Sequence, residues 1–142
     1  MATFFFVMQH KPTNEQMTAA KAIADRVVCL MPGNPADKIE GVEYFGSTSL
    51  LNVPDDPSLS RDWFVQRAQE IFNVLNPVEG DTVHIMGQQQ LAQAMSAMAR
   101  DGGMNRVESV TPRKSVDQTQ PDGSVKKVSV FEFAGFRSIY DF

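Results

Sequence analysis

With 142 residues, 42% of them hydrophobic and 21% charged, the chain is long enough for one domain with a real core and too short for two, which places a single domain over residues 1–142. A net charge of −4 argues against a general nucleic-acid coat protein, and no apolar stretch is long enough to span a membrane. The lone Cys29 excludes an internal disulfide framework and a cysteine-rich zinc site.

The first element is a short apolar run, residues 3–8, whose aromatic and β-branched content suits a strand covered on both faces. It stops at Gln9-His10-Lys11-Pro12-Thr13. Thr13 with Gln16 three residues later forms a capping-box pattern, so a helix is expected from Asn14 to about Ala24, with Met17, Ala20, Ile23 and Ala24 inward. Residues 26–31 read as a second strand, stopped by Pro32-Gly33. Cys29 lies inside it and reads as a small buried hydrophobe.

Residues 33–59 carry scattered Pro and Gly and no clear period, although Ser47 to Val53 can hold a short helix or strand. Ser60 caps a helix over 61–75 with Phe64, Ala68, Ile71, Phe72 and Leu75 on one face, and Trp63 packing beside them. Thr82 to Met86 is a strand, and its His84, flanked by Val83 and Ile85, reads as a hydrogen-bonded structural residue. After Gly87, Gln88-Gln89-Gln90 opens a helix with Leu91, Ala94, Met95 and Met98 inward, ended by Gly102-Gly103.

The last third changes character. Residues 106–111 form a strand, Pro112 to Ser115 follow it, Pro121-Asp122-Gly123-Ser124 is a turn, and Val125 to Phe133 alternates as a strand. Charge is uneven: residues 1–103 hold 7 basic and 12 acidic side chains, net −5, whereas 104–142 hold 6 and 5, net +1. Strands alternating with helices imply a mainly parallel sheet. The simplest solution is a compact Rossmann-like α/β domain of three layers with a C-terminal β-hairpin extension. The 10 Phe and 8 Met can simply fill a core, or an apolar tail can instead lie on a partner subunit, and a homodimer is expected.

Three stretches are expected at the carboxyl edge of such a sheet, where open α/β folds bind ligands. They are Gln9-His10-Lys11-Pro12-Thr13, Gly87-Gln88-Gln89-Gln90 and Thr111-Pro112-Arg113-Lys114-Ser115. A helix amino end favours anions, Arg grips phosphate with a planar fork, Lys adds a point charge, and His moves protons near neutral pH. Amide side chains suit ribose or a base edge. This chemistry points to a phosphate-bearing ligand. Walker A, GxGxxG, GxSxG and HExxH patterns are absent, and Asp55-Asp56 reads as a solvated turn, so no metal or cofactor is expected. Nothing at the start resembles a secretion signal, so the expected location is the cytoplasm.

His10-Lys11-Pro12-Thr13-Asn14-Glu15-Gln16, with Ala20-Lys21 and Leu30-Met31-Pro32, resembles the CRISPR-associated Csx family numbered twenty, found beside type III systems. The resemblance extends through Gly80-Asp81, Met86-Gly87, Thr111-Pro112-Arg113, Asp122 to Lys127, Val130-Phe131 and Phe136-Arg137. Gly87-Gln88-Gln89-Gln90 stands where that family often has Gly-Asp-Phe-Gly, and Val110-Thr111-Pro112-Arg113 where it often has Thr-Thr-Lys-Arg.

The resemblance implies a CARF-like domain and a ring nuclease. Such an enzyme linearises cyclic oligoadenylate, most often cyclic tetra-adenylate, and silences the antiviral signal of the type III complex. It works without metal, by attack of a ribose 2′-OH. On that reading Lys11 and Arg113 hold phosphates and His10 is the acid or base. Gln9, Thr13, Gly87, Gln88, Gln89, Gln90, Thr111, Lys114 and Ser115 contact the ligand. The alternative is a non-catalytic module that senses or sequesters the same nucleotide. Neither reading involves a membrane or a long nucleic acid.

Overall fold

The structure, a computed structural model, describes residues 2–142. Strand β1 (Thr3–Val7) lies in the middle of a six-stranded sheet and is buried at every position. Its period of two sorts the side chains onto opposite faces. Phe4, Phe6 and Met8 meet helix α1 (Asn14–Ile23) through Met17 and Ala20. Phe5 and Val7 meet α2 (Arg61–Leu75) and α3 (Gln89–Asp101) through Phe64, Ala68, Ile71, Leu91 and Met95. Phe4 and Phe6 are wholly buried, each contributing roughly 2–3 kcal/mol of hydrophobic stabilisation.

β2 (Arg26–Leu30) and β4 (Thr82–Ile85) flank β1, and β3 (Glu43–Phe45) and β5 (Asn105–Val110) lie outside them. All four neighbour pairs are parallel, from Phe5 beside Val28 to His84 beside Val107. β8 (Gly135–Ser138) adds an antiparallel edge on β5, giving the order β3-β2-β1-β4-β5-β8. The molecule is thus α/β with a mostly parallel sheet and a C-terminal antiparallel hairpin. No helix among the described residues is long and apolar enough to cross a membrane.

Two expectations change. Ile23, expected on the inward stripe of α1, is 55% exposed, because it ends the helix, whose buried residues are Gln16, Met17 and Ala20. Arg113 to Ser115 are not loop. They begin β6 (Arg113–Thr119), which pairs with β7 (Val125–Phe131) as a separate two-stranded ribbon.

The ribbon continues the β5–β8 pair. The N–H groups of Ala134 and Glu132 donate to the carbonyls of Val110 (2.8 Å) and Pro112 (3.1 Å) across the joint. Between the ladders, Thr111 and Pro112 oppose three residues, Glu132 to Ala134, so the return arm carries an extra residue and the ribbon bends there.

The segment 33–59 contains two short 3-10 helices, Pro35–Asp37 and Thr48–Leu51, on either side of β3. Arg67 of α2 pins it by donating to the carbonyls of Leu50 (2.9 Å) and Asn52 (3.0 Å).

Candidate functional site

β1 feeds α1 on one face of the sheet, and its neighbour β4 feeds α3 on the other. The two chains therefore diverge at the carboxyl ends of adjacent parallel strands, a topological switch point of the kind at which such sheets take ligands. The lip on the β1 side is Gln9-His10-Lys11. Pro12 is buried and seats the turn, while Gln9, His10 and Lys11 are exposed. Gln9 Nε2 donates to Asn52 Oδ1 at 2.6 Å, which anchors the turn to the 33–59 segment. Among the described residues, His10 and Lys11 have no hydrogen-bonding or charged side-chain partner.

The start of α1 forms a full capping box. Thr13 Oγ1 accepts from the Gln16 N–H, and Gln16 Oε1 accepts from the Thr13 N–H at 2.9 Å. The N–H groups of Asn14 and Glu15 are left over and add partial positive charge beside Lys11.

On the β4 side the chain turns at Gly87, whose φ of 137° only glycine adopts readily. A side chain there would meet nothing within 4 Å, so the backbone borders open space. The glutamines do not act together. Gln88 is the N-cap of α3, its Oε1 accepting from the Leu91 N–H at 2.9 Å. Gln89 faces a groove of about 580 Å³ shared with the C-terminal residues. Gln90 faces a groove of about 490 Å³ between α2 and α3. The helical turn of 100° per residue separates them, and a run of identical residues hides that separation.

The third stretch also leaves the carboxyl edge, because β5 is parallel to β4. Thr111 shares a pocket of about 220 Å³ with Thr13, Gln16, Phe131 and Phe133. Glu15 and Glu132 line that pocket too, which disfavours an anion in it. Lys114 pairs with Glu132 at 2.8 Å, the Arg113 guanidinium lies 5.3 Å from the Phe131 ring centroid, and Ser115 sits opposite Ser129. The crevice that Gln9, His10 and Lys11 share with Pro32, Asp37, Tyr44 and Thr48 holds only about 10 Å³, roughly one water. The space beneath this lip, on the β2–β3 side, is therefore too small for anything larger than a water.

Beneath the edge runs a polar chain that sequence reading did not find. His84 is 1% exposed, among the rings of Phe4, Phe6 and Phe136. Its Nε2 hydrogen-bonds Ser109 Oγ at 2.7 Å, and Gln16 Nε2 donates to the same oxygen at 3.0 Å. The chain thus joins β4, β5 and the capping turn of α1. Burial pushes the His84 imidazole down to about 4, so it is neutral near pH 7. Its Nδ1 has no partner. Cys29 is likewise buried, its thiol raised to about 12 by desolvation, and therefore inert. Asp56 accepts from the N–H (2.9 Å) and hydroxyl (2.7 Å) of Ser58, as a solvated turn residue does.

No curated protein matches the chain. The sequence model of a family described as "Uncharacterized protein MJ1673 family" matches residues 2–137. That match spans every strand and helix that builds the carboxyl edge, and the chain belongs to the MJ1673 family.

Proposed function

We propose that the protein is a ring nuclease that binds and linearises cyclic oligoadenylate, with cyclic tetra-adenylate the first ligand to test. The observation that carries this is the pair His10 and Lys11, exposed and unpartnered on the lip of the switch point. The parallel order β3-β2-β1-β4-β5 supports a Rossmann-like, CARF-like domain, whose crevice takes nucleotides at this place. Likeness of the surrounding motifs to the Csx family numbered twenty supports the choice of ligand.

Lys11 and the leftover N–H groups of α1 hold one phosphate, and Arg113 is the second phosphate ligand. Gln88 keeps only its Nε2 for ribose or base, and Gln89 and Gln90 drop out of the ligand set. Met86, 47% exposed beside Gly87, offers an apolar surface to an adenine.

In the reaction a ribose 2′-oxygen attacks the adjacent phosphorus and the bond to the 5′-oxygen breaks. His10 takes the 2′-hydroxyl proton or supplies the one that the leaving 5′-oxygen gains, and solvent water handles the other transfer. The product carries a 2′,3′-cyclic phosphate and a 5′-hydroxyl. Orientation and charge stabilisation supply most of the acceleration. A two-fold dimer presents each lip twice to a ring that is itself symmetric.

The test is incubation of the purified chain with cyclic tetra-adenylate in EDTA, with products read by mass spectrometry. Linear products ending in a 2′,3′-cyclic phosphate are expected. Tight binding with the ring intact makes the protein a sensor or a sponge, and the absence of both binding and cleavage removes the nucleotide reading.

A further inference from the structure

The β6–β7 ribbon is exposed at every position of both strands except the partly buried Val128. Its seven-residue strands reach about 23 Å beyond the bend at Pro112. A two-stranded ribbon is marginally stable by itself in water, so one this long lacks a covering surface.

The two faces differ. On one, Arg113 lies over the otherwise exposed Phe131, Ser115 sits opposite Ser129, Asp117 pairs with Lys127 at 3.4 Å, and Thr119 sits opposite the exposed Val125 near the tip. The other carries Val116 opposite Val128 at its centre, Val130 opposite Lys114 on one side and Gln118 opposite Lys126 on the other, so its three valines sit between two lysines. Val116 and Val130 are 38% and 37% exposed.

Charge selects the occupant. Residues 113–131 hold four basic side chains (Arg113, Lys114, Lys126, Lys127) and two acidic (Asp117, Asp122), net +2. The chain total of −4 leaves −6 on everything else. A ribbon is repelled by another ribbon and attracted by the acidic body of another copy. The valine face favours a protein surface over a polynucleotide.

We infer that the ribbon is a dimerisation arm whose Val116–Val128–Val130 face packs on the body of a second copy of this chain. It rises from the same carboxyl edge as the His10–Lys11 lip. Two exchanged arms then bring the edges of two copies together and set Arg113 and Lys114 at the rim of the shared space. This deepens the dimer of the proposed function, and it stands or falls on mass and protection, not on nucleotide chemistry.

Light scattering across a concentration series tests it, together with hydrogen exchange of the ribbon amides. The wild type is expected at twice 15.8 kDa, with ribbon protection lost on dilution. Val116→Lys with Val128→Lys is expected to give a monomer with unchanged helical circular dichroism. Val116→Thr with Val128→Thr keeps the β-branched shape and is expected to weaken the dimer at least tenfold, and added salt to weaken the wild-type dimer. A wild type that is monomeric throughout, or a dimer indifferent to both double variants, overturns the inference. A monomer whose ribbon becomes protected only when oligoadenylate RNA is added overturns it too, and gives the ribbon to nucleic acid. A dimer that meets these expectations yet leaves cyclic tetra-adenylate unbound removes the nucleotide reading alone.

Discussion

His84 was legible as a structural histidine because valine and isoleucine flank it in a strand, but its partner was not. Ser109 lies 25 positions away and Gln16 a further 93 from Ser109, and only the parallel pairing of β4 with β5 aligns them. Ser109→Ala leaves His84 Nε2 and Gln16 Nε2 without their shared hydrogen-bond partner. It is expected to cost roughly 1–3 kcal/mol in urea unfolding. The imidazole gains its proton near pH 6.5 in the unfolded chain and near 4 when folded. A fall in pH through that window therefore favours unfolding, with a loss approaching roughly 3 kcal/mol at pH 4. A His84→Gln variant should show a flatter stability profile between pH 6.5 and 4, and an unchanged profile would remove His84 as the cause. On the lip, His10→Ala is expected to lower the rate of ring opening about 100-fold with binding retained, read in single-turnover assays.

Elements with a strong period were readable. All five residues placed on the inward face of α2 are buried, as are Leu91 and Met95 of α3. The 33–59 segment had no period because its order comes from distant partners: the Arg67 guanidinium on two carbonyls, and the Tyr44 hydroxyl accepting from the Ile39 N–H at 2.7 Å. The ribbon was misread at its root because Pro112 signals a loop, whereas the chain bends there and resumes pairing at once. Gly46, between β3 and the second 3-10 helix, has φ 65°, and a Cβ there would come within 2.5 Å of Val74 Cγ1. Gly46→Ala is expected to destabilise by roughly 1–3 kcal/mol and lower the melting temperature, because strain and overlap act together.

At the scale of the molecule, the alternation of strands and helices was enough to expect a parallel sheet and its carboxyl edge. It was not enough to show which edge residues face one ligand. The lip at β1 and the rim at β6 rise from that edge, while Gln89 and Gln90 turn away into separate grooves. On the proposed function, His10 and Lys11 sit on a nucleotide site at the switch point. Calorimetric titration of cyclic tetra-adenylate into the wild type and into Lys11→Ala tests it most directly. One ring per two chains is expected for the wild type, with affinity at least tenfold weaker for the variant. Equal affinity in both proteins, or no heat in either, would contradict it.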